Sequence, residues 1–217
     1  MRTEAMIFDV DGTLIDSNDA HARAWVDALE KNGITCSVDE VRKLIGMGSD
    51  KLLPRVASVE MDSQRGKKLL DDRGAIFRER YFNTIGPFAG ARALLLRLKE
   101  DGVRLAVASS AQEEELGRFL EIAQVRDLIE ESTSSDDAEK SKPDPDIVEA
   151  ALSRLGSSRE ATIMVGDTPY DIEAASRARV RSIALRSGGW IDDALAGAIA
   201  IYDDTSDLLR RYDARTW

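Results

Sequence analysis

From Gly90 onward the chain changes texture at short, regular intervals, and this alternation restricts its fold more than any other feature. Helical spacing of apolar residues over Ala91–Glu100, Glu113–Ala123, Asp146–Leu155 and Asp171–Arg179 is interleaved with short apolar runs over Arg104–Ser109, Leu128–Glu131, Thr162–Gly166 and Arg181–Leu185. Strands separated by helices return to the same sheet in parallel, because the crossover carries the chain back to its starting edge. The runs are continuously apolar rather than alternating, as expected of strands buried on both faces. Ala5-Met6-Ile7-Phe8 is a further run of this kind. The expected fold class is α/β, with a parallel central sheet.

Between the first run and Pro87 the pattern differs. Helical periodicity dominates and no convincing strand stands out: Ala20–Asn32 reads as one helix closed by Gly33, Val38–Leu44 as a second, Asp50–Val59 as a third and Ser63–Tyr81 as a long fourth. The expected organisation is a core of residues 1–15 and 88–217 with an all-helical insertion over 16–87. A chain of 217 residues with 43% hydrophobic content suffices for one core plus such an insertion.

The strand ends carry the chemistry. Ala5–Phe8 runs into Asp9-Val10-Asp11-Gly12-Thr13-Leu14. In an open α/β sheet ligands bind beyond the carboxyl ends of the strands, and residues two apart on an extended segment point to the same side. Asp9 and Asp11 can therefore face one substrate or one hard cation; the alternative is an Asp-Gly turn, although no partner strand for a hairpin is in view. Arg104–Ser109 ends in Ser109 and Ser110, and Ser110 lies three before Glu113, the spacing of a capping box. These hydroxyls suit either a helix cap or a phosphate held at a helix N-terminus. In Lys140-Ser141-Lys142-Pro143-Asp144-Pro145, the prolines hold Lys142 just before a helix, a placement that suits a fixed charge better than a freely solvated one. Thr162–Gly166 leads to Asp167 and, four residues on, Asp171, which is expected to begin a helix. Asp171 alone could be a cap, whereas Asp167 after a continuous apolar strand needs a partner or a metal.

These four stretches, in this order, resemble the four signature motifs of the haloacid dehalogenase superfamily of hydrolases, and the helical insertion resembles its alpha-helical cap subclass, similar to phosphoglycolate phosphatases and beta-phosphoglucomutases. The resemblance implies a Rossmann-like three-layer sandwich with an inserted all-helical cap domain, and roles residue by residue. Asp9 matches the nucleophile that becomes an aspartyl phosphate, and Asp11 the general acid and base. Ser109 and Lys142 match phosphate-binding groups, and Ser110 is taken with them. The Asp9 carboxylate, the Asp11 main-chain carbonyl and Asp167 match the Mg2+ ligands, with Asp171 supporting the site. A cluster of carboxylates repels itself, so it needs both a cation and a lysine.

Within the cap, His21 and Trp25 share a helix face, and Gly46-Met47-Gly48-Ser49 forms a loop able to approach a ligand. His21, Gly46 and Ser49 are the cap candidates for substrate contact; packing for His21 and an ordinary helix connection for the loop are the plainer roles. The mutases carry an arginine where this chain has Ser49. A bisphosphate intermediate needs that grip, so the departure turns the reading from a sugar phosphomutase to a Mg2+-dependent phosphatase of small phosphorylated metabolites. The dehalogenase branch lacks the second acid, which is present here as Asp11. A non-catalytic phospholigand-binding protein on this fold would have lost Asp9 or Asp11, and neither is lost.

A net charge of −10 disfavours nucleic acid as a partner, since phosphate backbones seek basic surfaces. The single cysteine, Cys36, excludes an internal disulfide and a thiolate zinc site. No apolar run is long enough to span a bilayer and the N-terminus lacks the pattern of a secretion signal, so no membrane partner is expected and the cytoplasm is the expected compartment. The oligomeric state is left open.

Overall fold

The structure is a computed structural model and describes residues 3–217. The chain divides into two compact units, one built from the described residues up to Asp16 together with Gly86–Trp217, the other from Ser17–Ile85.

The larger unit holds eight strands: β1 (Ala5–Phe8), β2 (Ile15–Asp16), β3 (Gly86–Pro87), β4 (Arg104–Ala108), β5 (Glu131–Thr133), β6 (Thr162–Gly166), β7 (Arg181–Leu185) and β8 (Ala200–Tyr202). Six form one sheet in the order β5-β4-β1-β6-β7-β8, every pairing parallel, while β2 and β3 make a short antiparallel ribbon. The parallel α/β expectation thus holds. Chain order runs from β1 outward to β4 and β5, then returns to the other side of β1 with β6. The sheet reverses direction at β1, where open α/β sheets place their ligands.

The smaller unit contains α1 (Asn18–Lys31), α2 (Val38–Arg42), α3 (Ser49–Ala57) and α4 (Gln64–Ile76). A reciprocal cap between Ser37 and Glu40 opens α2, and the Ser63 hydroxyl accepts the Gly66 amide to open α4. The single long helix expected over Ser63–Tyr81 is instead α4, then a π-helical turn over Phe77–Tyr81 and a 3-10 turn over Phe82–Thr84. Apolar periodicity cannot tell these hydrogen-bond spacings apart over one turn. On the inner side of α1, Ala22, Ala24, Trp25, Ala28 and Leu29 are buried, with Leu69, Ile76 and Phe77 from the fourth helical segment.

The remaining helices belong to the larger unit: α5 (Ala91–Glu100), α6 (Glu113–Ile122), α7 (Asp146–Leu155), α8 (Pro169–Arg177) and α9 (Thr205–Arg211). One sheet face, presenting Ala5, Ile7, Ala106, Ala108 and Met164, packs against Ile147, Val148, Ala151, Leu152 and Leu155 of α7 and Ala174 and Ala175 of α8. The alternate strand residues Met6, Phe8, Leu105, Val107, Ile163 and Val165 are equally buried, which explains why these strands read as unbroken apolar runs.

Two expectations need correction. The fifth strand is Glu131–Thr133, not Leu128–Glu131, and Ser132 and Thr133 are paired strand residues. Its polarity hid it, yet Thr133 is fully buried because its hydroxyl is placed to donate to the Val107 carbonyl at 3.1 Å and the Ile147 carbonyl at 3.3 Å. The helix assigned to Asp171 begins at Pro169: Thr168 is its N-cap, and Asp171 is the third helical residue of a capping box.

Candidate active site

Strand register brings the distant motifs together. Phe8 lies opposite Val107 on one side and Val165 on the other, and Ala108 lies opposite Thr133. Asp9, Ser109 and Asp167, each at or just past the end of its strand, are thereby set along one edge of the sheet. The Asp9 amide donates to the Val165 carbonyl at 2.9 Å, so the ladder holds the backbone of Asp9 to the last hydrogen bond before the chain turns. Gly12 makes that turn at φ +76°, a conformation costly for residues with a Cβ.

Around Asp9 the charges are buried and close. Lys142 is fully buried, and its ammonium donates to Asp9 Oδ1 at 2.5 Å and to the Ala108 carbonyl at 2.9 Å, and pairs with Asp171 Oδ1 at 2.8 Å. Asp171 Oδ2 in turn accepts the Thr168 amide at 3.0 Å and the Thr168 hydroxyl at 2.6 Å. The capping box of α8 therefore fixes the carboxylate that fixes Lys142. Gly166 makes this possible, because a methyl group there would come within 2.7 Å of Asp171 Oδ2. Asp167 is held by the Thr13 hydroxyl, which donates to its Oδ1 at 3.1 Å.

Carboxylate oxygens of Asp9, Asp167 and Asp171 lie within 4.8 Å of one another, all three residues buried. Of these three, Asp9 and Asp171 share the Lys142 ammonium. The imbalance registers in both partners of the central pair: burial holds the Asp9 carboxyl well above the usual carboxylate range, with Asp171, Asp167 and Asp11 pushing the same way against Lys142. Burial works against the Lys142 ammonium, but Asp171 and Asp9 outweigh it and raise its pKa above the ordinary value. The donor set is all hard oxygen, and the aspartate group could hold a metal ion.

The other sequence candidates fall as follows. Asp11 is half-buried beside this group, and its side chain is not one of the three clustered carboxylates; its expected metal contact is through the main-chain carbonyl. Ser109 is fully buried and its Oγ accepts the Ala111 amide at 3.1 Å, leaving its proton to donate. Ser110 does not cap α6: the N-cap is Gln112, and the Glu113 amide is satisfied by Asp136 Oδ2 at 3.1 Å, a carboxylate from the 3-10 turn Ser135–Asp137. His21, Gly46 and Ser49 all lie in the smaller unit. His21 is buried there, stacked on Phe77 at 4.4 Å between ring centroids, and a ring nitrogen meets the Arg73 guanidinium, which also lies over the Phe77 ring at 4.9 Å. Gly46 has φ +106°, and Ser49 is the first residue of α3. The partnership of Arg73 with His21 was not foreseen from the sequence.

The chain is 34% identical over 187 residues to a protein of Caldanaerobacter subterraneus named putative pyrophosphatase PpaX, covering 86% of this chain and 83% of that one. It is 30% identical to the phosphoglycolate phosphatase of Rhodospirillum rubrum, covering 94% and 89%. Among solved structures, a hydrolase from Pseudomonas syringae superposes with a TM-score of 0.90 at 29% identity, covering 98% of this chain and 99% of that one. The model of the haloacid dehalogenase-like hydrolases matches residues 6–185, from within the first strand to the last residue of β7, and so takes in every group around Asp9; the chain belongs to that family.

Proposed function

We propose that this protein is a Mg2+-dependent phosphatase of small phosphorylated metabolites, with Asp9 as the nucleophile. The observation that carries the reading is the buried Asp9 carboxylate at the end of β1, tied to Lys142 at 2.5 Å and set beside Asp167 and Asp171. The relatives named as a pyrophosphatase and a phosphoglycolate phosphatase support phosphorus as the point of attack.

In this mechanism an Asp9 carboxylate oxygen attacks phosphorus in line with the leaving group and takes the phosphoryl group as an aspartyl phosphate. Asp11 gives its proton to the departing alcohol, then takes one from the water that cleaves the intermediate. Lys142 and the Ser109 hydroxyl stabilise charge on the transferring oxygens, and Asp171 keeps Lys142 in place. Asp9, Asp167 and the Asp11 main-chain carbonyl would hold Mg2+, whose charge would offset that of the carboxylates and of the phosphoryl group. We read Ser17–Ile85 as the cap that selects the leaving group. The presence of Ser49 rather than arginine favours hydrolysis over internal phosphoryl return.

Release of inorganic phosphate, measured with and without Mg2+ across sugar phosphates, phosphoglycolate, nucleotides and pyrophosphate, tests the reading. Mg2+-dependent release from a subset of these is expected. Isomerisation of a sugar phosphate without net release would make the protein a mutase, and no turnover of any kind would leave only ligand binding. Asp11→Asn is expected to slow turnover by about 10²–10⁴-fold, since the leaving alcohol and the water both lose their proton carrier, and to accumulate a phosphate-mass adduct on the intact protein with an ester whose leaving group departs without a proton. An adduct-free protein with wild-type turnover would remove Asp11 from the mechanism.

A further inference from the structure

The segment just after β7 touches the site from a direction that none of the four motifs supplies. Gly166 lies opposite Ala184 in the β6–β7 pairing, so Leu185 comes out alongside Asp167 and the residues after it run past the site. Two contacts follow from that register. The Ser187 hydroxyl donates to the Gly12 carbonyl at 2.7 Å, across 175 residues of sequence. Gly188 lies so close to Asp167 that a methyl group on it would overlap the Asp167 carbonyl and come within 2.5 Å of Oδ2. Gly188 does not have a positive φ, so the demand for glycine here is one of space rather than backbone conformation.

We propose that Ser187 and Gly188 are positioning residues, holding respectively the loop that carries Asp9 and Asp11 and the Asp167 carboxylate; the proposal rests on the phosphatase reading above. Asp167 is confined between two neighbours, Thr13 donating to Oδ1 and the bare Cα of Gly188 standing against its carbonyl and Oδ2. Gly12 is likewise held at both ends: its amide donates to the Ile15 carbonyl at 2.8 Å, and its carbonyl is closed by Ser187. The turn itself is anchored from outside. Arg186 grips Asp192 through two bonds of 2.7 and 2.9 Å and reaches Asp203 at 2.7 Å, fixing the residue that precedes Ser187. Neither Ser187 nor Gly188 is assigned a bond to substrate. Each acts by removing freedom from a group that does the chemistry, as partners behind metal-binding carboxylates commonly do.

Mg2+ affinity, measured by calorimetry on the substrate-free protein, tests the first half. Gly188→Ala is expected to weaken Mg2+ binding about 10–100-fold, because the new methyl group displaces Asp167. Steady-state kinetics tests the second. Ser187→Ala is expected to lower kcat roughly 5- to 100-fold with KM little changed, and Ser187→Thr, which restores the hydroxyl, to recover most of it. A folded Gly188→Ala protein with wild-type Mg2+ affinity, or a Ser187→Ala protein with wild-type kcat, would overturn the proposal. Should Gly188→Ala not fold, the Ser187 pair decides, and a loss that threonine fails to restore counts against positioning. A wild-type protein that neither binds Mg2+ nor releases phosphate brings down the phosphatase reading itself, a result separable from the others.

Discussion

Asp9→Asn is expected to abolish turnover, by on the order of 10⁴-fold or more, and at the same time to make the metal-free protein more stable. The first effect follows from the proposed nucleophile: an amide oxygen in that position cannot form the aspartyl phosphate. The second follows from charge. Asp9, Asp167 and Asp171 crowd around a single ammonium, and burial together with the other carboxylates holds the Asp9 carboxyl above its usual range. Ionised Asp9 is therefore a cost to folding that a cation relieves. Asparagine keeps the shape, still accepts from Lys142 through its oxygen, and removes the surplus charge. In EDTA at neutral pH a gain on the order of 1 kcal/mol is expected, read as a rise in Tm of about 2–4 °C for a chain of this size. Added Mg2+ should narrow the difference, since it stabilises the wild type more than the variant. A variant within tenfold of wild-type turnover would show that Asp9 is not the nucleophile, and a lower Tm in EDTA would show that the carboxylates are not in conflict.

The same charge crowding explains why so much of the site was legible in the chain. Buried acids at the ends of apolar strands are costly, so where they occur they announce themselves: Asp9 and Asp167 stand out against Ala5–Phe8 and Thr162–Gly166, and the register of three adjacent strands then brings them together. Lys142 is legible through its prolines, although only the structure shows that it is fully buried with three acceptors. What escaped is what depends on contacts between distant segments. Nothing local in Glu131-Ser132-Thr133 looks like a strand, since Thr133 is made burial-compatible by carbonyls of Val107 and Ile147. Ser110 has the spacing of a cap and is not one, because Asp136, from the 3-10 turn after β5, reaches the helix end instead. Ser187 and Gly188 have meaning only once β7 is laid beside β6. By contrast, the Thr168 and Asp171 capping box was present in the sequence, and reading Thr168 as the cap would have started that helix at Pro169.

Removing Lys142 is expected to do the opposite of removing Asp9, and the pair of results discriminates more sharply than either alone. Lys142→Met preserves length and much of the volume of a fully buried side chain while deleting the only ammonium shared by Asp9 and Asp171. Breaking a buried ion pair from one side costs about 3–5 kcal/mol, because the abandoned carboxylates stay desolvated; on the scale of this chain that is a fall in Tm of roughly 6–20 °C. Turnover should fall by about 10²–10³-fold, comparable to the loss of one preorganised donor at a developing charge. Methionine separates charge from packing, since a cavity effect alone would be largely repaired by it. The double variant Asp9→Asn, Lys142→Met supplies the decisive comparison. If repulsion among the carboxylates is the source of the instability, removing Asp9 should restore much of the lost Tm without restoring activity, so the two substitutions would be non-additive in stability. A double-variant Tm equal to the sum of the two separate changes would instead mean that Lys142 acts through packing, with its bonds to Asp9 and Asp171 incidental to the fold.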